Sequence, residues 1–196
     1  MRVYLDAVRR DDLPRFARWF ADPALAAVLT PGIALPLGPE DEEEWFDNMR
    51  ARRKDGREHV FAVRRLESGD AIGTVGITLE RDRHSGTAGI AIADPDARGR
   101  GLGVEAFHLL LRFAFDEVGL HRVELRVFDF NEPAKRLYRR LGFREEGRLR
   151  DAVFRDGRYH DELVMAMLEG DYQTSDPGAR PPGWIPAAVS QPRSPE

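Results

Sequence analysis

The chain contains no cysteine, which excludes disulfides, thiolate zinc sites and a covalent cysteinyl acyl-enzyme. Any acyl transfer would have to use another nucleophile, most simply the acceptor itself. No apolar run approaches 20 residues and no apolar stretch follows a basic start, so neither a membrane span nor a secretory leader is expected, and the cytoplasm is the expected compartment. Basic residues are not in excess: the net charge of −4 argues against nonspecific nucleic-acid binding, which needs a basic face. His59, His121 and His160 have no partners at metal-ligand spacing, so no metal is expected.

At 196 residues, 42% hydrophobic and 33% charged, the composition fits one globular domain with a sizeable core. Arg2 to Val8 reads as a strand, and Asp11 or Asp12 can cap a helix with Leu13, Phe16, Ala17 and Phe20 at helical spacing, ended by Pro23. The three prolines and two glycines of Leu29 to Pro39 predict a loop. A helix from about Pro39 to Lys54 starts with the acidic run Glu40 to Glu44. That run complements the positive end of the helix dipole; attraction of a cationic amine is the competing reading.

His59–Arg65, Ala71–Glu80 and Thr87–Ala93 read as antiparallel strands, with turns at Ser68-Gly69 and Ser85-Gly86. Gly89, Ala91 and Ala93 leave one face of the third strand nearly bare, which suits either a ligand lying along it or a helix crossing close. After Asp94-Pro95 comes Arg98-Gly99-Arg100-Gly101-Leu102-Gly103, opening a helix that runs to Val118. Alternating glycines admit backbone N–H groups to an anion, the helix start adds free donors, and two arginines add charge, a set suited to a pyrophosphate. A strand follows at Arg122 to Phe128, then a helix capped by Asn131 and stopped by Gly142, then strands at about Phe143–Phe154 and Tyr159–Leu168 around the hairpin signal Asp156-Gly157. Residues 1–169 form the expected domain. Residues 170–196, with six prolines and little apolar periodicity, read as a tail.

Here the chain resembles the GNAT superfamily of N-acetyltransferases. Arg98, Gly101 and Gly103 fill its acetyl-CoA signature, an Arg or Gln, two residues, Gly, one residue, then Gly or Ala. Asn131 to Phe143 looks like the family's second coenzyme-contacting helix, and the layout is most similar to the branch of ribosomal-protein (RimJ/RimL-like), spermidine and aminoglycoside acetyltransferases. The resemblance implies an α+β fold with a mixed, mostly antiparallel sheet of about seven strands flanked by helices, acetyl-CoA as acyl donor, and a primary amine as acceptor. It places the cofactor against Ala91, Ile92, Ala93, Arg98, Gly99, Arg100, Gly101, Leu102, Gly103, Asn131, Ala134 and Arg136, and makes Tyr138 the general acid that protonates the leaving thiolate. For the base, Glu80, Asp94 and His84 remain open, as does a water relay. An acetyl-CoA-binding module without catalysis is the alternative. A dinucleotide site is disfavoured by the glycine spacing and by the hairpins that precede the loop. A last strand with a free edge and the proline-rich tail would suit a homodimer.

Overall fold

The computed structural model describes residues 1–29, 38–80 and 84–175. Its seven strands are β1 (Val3–Ala7), β2 (Glu58–Arg65), β3 (Ala71–Leu79), β4 (Ser85–Ile92), β5 (Arg122–Phe128), β6 (Arg144–Arg155) and β7 (Arg158–Leu168). They form one sheet in the order β1-β2-β3-β4-β5-β7-β6. Every pair is antiparallel except β4 with β5. A parallel pair needs a crossover, and α4 (Leu102–Arg112) supplies it. The fold is therefore the mixed, mostly antiparallel α+β arrangement that the resemblance implies.

Helices cover both faces, as adjacent residues of β2 show. Ala62 packs with Phe16 of α1 (Leu13–Phe20) and with Phe46 and Met49 of α3 (Pro39–Lys54). Val63 joins the larger cluster that holds Phe107 and Leu110 of α4, Tyr138 of α5 (Glu132–Leu141), and Leu125 and Met165. Alternation along a strand separates the two layers. At the entrance to α1, the buried Arg64 bridges Asp6 at 2.9 Å and Asp12 at 2.8 Å, tying β2 to the turn after β1.

Several local expectations are corrected. Pro23 does end α1, but it also opens α2 (Pro23–Leu29): Asp22 accepts a hydrogen bond from the Ala24 N–H at 3.0 Å, and proline suits the first helical turn. Ser85 and Gly86 start β4 and do not form a turn; Gly86 sits opposite Leu79, where an added Cβ would come within 2.8 Å of the Ile77 side chain. The helix after the glycine run widens over Phe113–Glu117, where the Val118 N–H reaches back to the Phe113 carbonyl at 3.0 Å. The last strand has no free edge: β7 is inserted between β5 and β6, and the edge belongs to β6. A short helix follows the expected boundary at residue 169. In α6 (Glu169–Ser175), Tyr172 is buried and stacks on Phe115 with ring centroids 4.8 Å apart, so apolar burial holds the start of the expected tail. The loop expected at Leu29–Pro39, the turn after Glu80 and most of the proline-rich segment fall on residues 30–37, 81–83 and 176–196, outside those described.

The acidic start of α3 is largely structural. Asp41 accepts a hydrogen bond from the Gly38 N–H at 2.6 Å, and Arg10 pairs with Glu43 and Asp47. Glu42 is only 4% exposed. Burial, and secondarily the neighbouring Asp41 charge, raise its pKa to about 7. The unfolded chain ionises Glu42 at a lower pH than the folded one, so stability contributed at low pH is lost as pH rises from the usual carboxylate range through about 7. Glu42→Gln is therefore expected to add about 1–3 kcal/mol of stability at pH 8 and almost none at pH 4. Urea denaturation at both pH values measures this; a loss at pH 8, or an equal gain at both, would contradict it.

Candidate active site

The decisive feature lies between β4 and β5. They pair only over Ser85–Thr87 and Arg122–Glu124, yet β4 runs on to Ile92 and β5 to Phe128. Past Thr87 the two strands part, and their facing edges have no ladder between them. Backbone groups inside a protein require partners, so such an opening suits an inserted chain-like ligand. A groove of about 830 Å³ occupies this end of the sheet.

At the groove, α4 begins where the backbone turns sharply. Gly101 is the residue before the helix and has φ 77° and ψ 4°, a left-handed conformation that side chains with a Cβ resist. Leu102, Gly103 and Val104 follow in the first turn and line the groove. Their N–H groups have no intrahelical acceptor, and the helix dipole adds positive potential. Arg98 also borders the groove, but part of its guanidinium is already used. Its Nε donates to the Ile92 carbonyl at 3.0 Å and its Nη2 to the Ala93 carbonyl at 2.7 Å. Arg98 thereby ties the loop to the end of β4 and keeps its remaining N–H groups for a ligand.

The other wall comes from α5. The Asn131 Oδ1 accepts from the Ala134 N–H at 3.2 Å, so its carbonyl oxygen caps the helix and its amide hydrogens stay available. Ala134, Leu137, Arg136 and Arg140 follow at helical spacing along the groove. Both arginines are exposed, one turn apart on one helix face. The groove can therefore hold a multiply charged anion at its rim and an uncharged chain along β4.

Of the residues singled out in the sequence, Ala91, Ile92, Arg98, Gly99, Gly101, Leu102, Gly103, Asn131, Ala134 and Arg136 are brought together around this groove. Four are not among its lining residues. Arg100 is exposed outside it. The Ala93 N–H donates to the Ile72 carbonyl of the adjoining chain at 3.0 Å, and its carbonyl holds Arg98, so neither backbone group is free for a substrate. Glu80 is exposed beyond the Leu79↔Gly86 end of the hairpin, five residues along β4 from Ala91. At about 3.3 Å per residue that is roughly 16 Å from Ala91. Tyr138 follows the lining residue Leu137 on α5 and is not itself among the lining residues.

Of the other base candidates, Asp94 accepts from the Asp96 N–H at 2.9 Å and from Arg65 at 3.4 Å, a turn-stabilising role. His84 is exposed, and its carbonyl receives the His121 and Arg122 N–H groups.

Tyr138 is 5% exposed, with its ring 5.4 Å from Phe107 and 5.9 Å from Phe143. Burial pushes its pKa up to about 12. The phenol therefore stays protonated throughout the physiological range.

Sequence reasoning missed α2, which contributes Leu25, Val28 and Leu29 to the groove. The signal was Asp22-Pro23, a helix start read as a helix end. It also missed Phe130. This ring stacks on Phe128 at 5.3 Å, meets the edge of His160 at 4.8 Å and lies under the Arg155 guanidinium at 5.7 Å. His160 is buried. Its Nε2 accepts from Arg158 Nε at 3.2 Å, which leaves the proton on Nδ1, 3.1 Å from the Asp129 carboxylate. Lys135 holds the Asp129 carbonyl. The turn that presents Phe130 and Asn131 to the groove is thus fixed from β7. His160→Leu is expected to raise KM for the coenzyme about 5- to 10-fold with little change in kcat, the loss of one hydrogen bond. His160→Asn, whose amide can still donate to Asp129, should recover most of it. Initial-rate kinetics on both variants provide the check, and an unchanged KM in His160→Leu would contradict the role.

A parallel strand pair that parts beside a helix N-terminus, with arginines at the rim of the opening, forms a slot suited to a phosphorylated, chain-like ligand. The family model for the acetyltransferase (GNAT) domain matches residues 2–144, and the chain belongs to this family as an acetyl-CoA-dependent N-acetyltransferase. The uncharacterized N-acetyltransferase YokL, derived from the SPβ prophage of Bacillus subtilis, is 31% identical over 143 residues, 72% of this chain and 77% of the relative. Among solved structures, the spermidine N-acetyltransferase of Vibrio cholerae in complex with CoA and spermine superposes with a TM-score of 0.77 at 26% identity, covering 87% of this chain and 98% of that one. Mycobacterium smegmatis RimJ in complex with CoA-disulfide gives 0.75 at 26%, covering 85% and 81%. Among the described residues, no helix is long and apolar enough to cross a membrane.

Proposed function

We propose that this enzyme moves the acetyl group of acetyl-CoA directly to a primary amine while both substrates are bound. The observation that carries the reading is the parting of β4 and β5 beside the start of α4. One opening accommodates an extended acyl carrier, and the loop from Arg98 to Gly103 offers N–H donors and charge for its diphosphate. Arg136 and Arg140 add charge at the rim, and Asn131 offers an amide along the arm. With no cysteine in the chain, direct attack by the amine needs no acyl-enzyme.

Tyr138 supplies the proton to the departing thiolate in this reading. Burial keeps the phenol neutral, as an acid must be before it acts. The amine must lose its own proton first. Neither Glu80, Asp94 nor His84 stands in the groove, which favours a water relay for that step. The acceptor in this reading is a primary amine, a protein N-terminus, a polyamine, an aminoglycoside or another small amine, and the Vibrio cholerae relative solved with spermine supports the amine class.

Thiol release from acetyl-CoA, measured against a panel of peptides, polyamines and aminoglycosides, tests the reaction class. Initial-rate lines that intersect when both substrates are varied support a ternary complex, and parallel lines contradict it. Tight acetyl-CoA binding with no thiol release on any amine would make the chain a binding module.

A further inference from the structure

We infer that Arg2 is a further coenzyme-binding residue, a cation that β1 and α4 hold beside Gly101 for the diphosphate of the acyl carrier. This rests on the assignment of the loop from Arg98 to Gly103 to that diphosphate, and adds to it a residue distant in sequence. Packing sets its position. Val3 and Leu5 of β1 are buried in the same cluster as Leu102 and Ala106 of α4, so the residue before the strand stands at the helix start. Both backbone groups of Arg2 are committed there: its carbonyl accepts from the Leu66 N–H at 2.8 Å, and its own N–H donates to Glu105 Oε2 at 2.6 Å. The side chain folds onto the same carboxylate, with Nε donating to Oε1 at 2.8 Å and Nη2 2.6 Å from that oxygen. The guanidinium thereby reaches the bare face of Gly101, where a Cβ would lie 3.5 Å from Nη2. Its Nη1 makes no hydrogen bond to another described residue, which leaves two N–H groups for a ligand.

Glu105 is the reason a cation is needed at this point. It lies in the first turn of α4, where free N–H groups and the helix dipole favour an anion. An unbalanced carboxylate there would repel the diphosphate and compete with it for the same positive potential. Burial works to raise the Glu105 pKa, and the hydrogen bonds and charge of Arg2 more than offset it, so the carboxylate stays ionised and paired. The pair is neutral, and its outer guanidinium edge adds donors beside the loop. The loop's own cations are less free. Arg98 uses two of its N–H groups on the Ile92 and Ala93 carbonyls, and Arg100 is exposed outside the groove.

Calorimetric titration of wild type, Arg2→Gln and Arg2→Lys with CoA and with 3′-dephospho-CoA tests the role. Arg2→Gln is expected to raise Kd at least about fivefold for both ligands alike, the loss of a charge-assisted contact to the diphosphate they share. Arg2→Lys, which keeps the charge, should recover most of that loss. The loss should also shrink as salt is raised from about 0.05 M to about 0.5 M, because an exposed charge is screened, whereas a loss caused by a loosened β1 would not follow salt. A smaller loss in Arg2→Gln, a loss that salt leaves unchanged, a lysine variant no better than glutamine, or a loss seen with CoA and absent with 3′-dephospho-CoA overturns the inference. If Arg2→Gln binds as wild type does while Gly101→Val loses the coenzyme, the loop keeps its assignment and only the role of Arg2 falls. If neither variant weakens binding, both fall.

Discussion

Tyr138→Phe is expected to lower kcat by about 10²- to 10⁴-fold, the range for loss of a positioned general acid, with the coenzyme KM nearly unchanged. The site separates chemistry from packing unusually well. The Tyr138 ring fills a space between Phe107 and Phe143, and phenylalanine fills the same space. The hydroxyl makes no hydrogen bond to another described residue, so removing it leaves no orphaned partner. Thermal stability should therefore stay the same or rise slightly while turnover falls. The pH dependence adds a second reading. A phenol with a pKa raised to about 12 remains a donor across the working range, so Tyr138 produces no alkaline loss of activity below about pH 11. Unchanged kcat in Tyr138→Phe at saturating substrates would return the residue to a purely packing role.

Gly101→Val is expected to weaken acetyl-CoA binding by roughly 10²-fold or more. The wild-type residue occupies φ 77°, where a β-branched side chain is strongly disfavoured. Valine forces the loop to rebuild, which moves the N–H groups of Leu102 and Gly103 and the Arg98 tether together. Loss of two charge-assisted hydrogen bonds, each worth about 1.5–3 kcal/mol, accounts for the size of the effect. Gly101→Ala, which tolerates the left-handed region better, should fall between valine and wild type. Calorimetric titration with acetyl-CoA and with CoA measures the series. A valine variant that binds both as wild type does would remove the loop from the coenzyme site, and the donor assignment with it.

The outcome of reading the sequence divides by the range of the forces involved. The loop from Arg98 to Gly103, the Asn131 cap, the Gly142 stop and the Asp156-Gly157 hairpin were legible because each depends on backbone chemistry within a few residues. Asp156 and Gly157 both have positive φ, as that turn requires. The Asp22-Pro23 start of α2 was equally local but was read with the opposite sense, since proline can both end one helix and open the next. By contrast, the aromatic grip on Phe130 joins β5, β6 and β7, and no short pattern announces it.

The amino-acid sequence alone determined the order of the strands, the glycine loop that opens α4 and the family, because periodicity, capping and turn residues act over one or two turns of chain. Only the tertiary structure decided that β4 and β5 part after Thr87, that β7 lies inside the sheet, that Glu80 is not among the groove's lining residues, and that α2 supplies an apolar wall. Those features depend on strand register and on contacts between segments distant in sequence, where the free energy of packing chooses among arrangements that local propensity leaves equivalent.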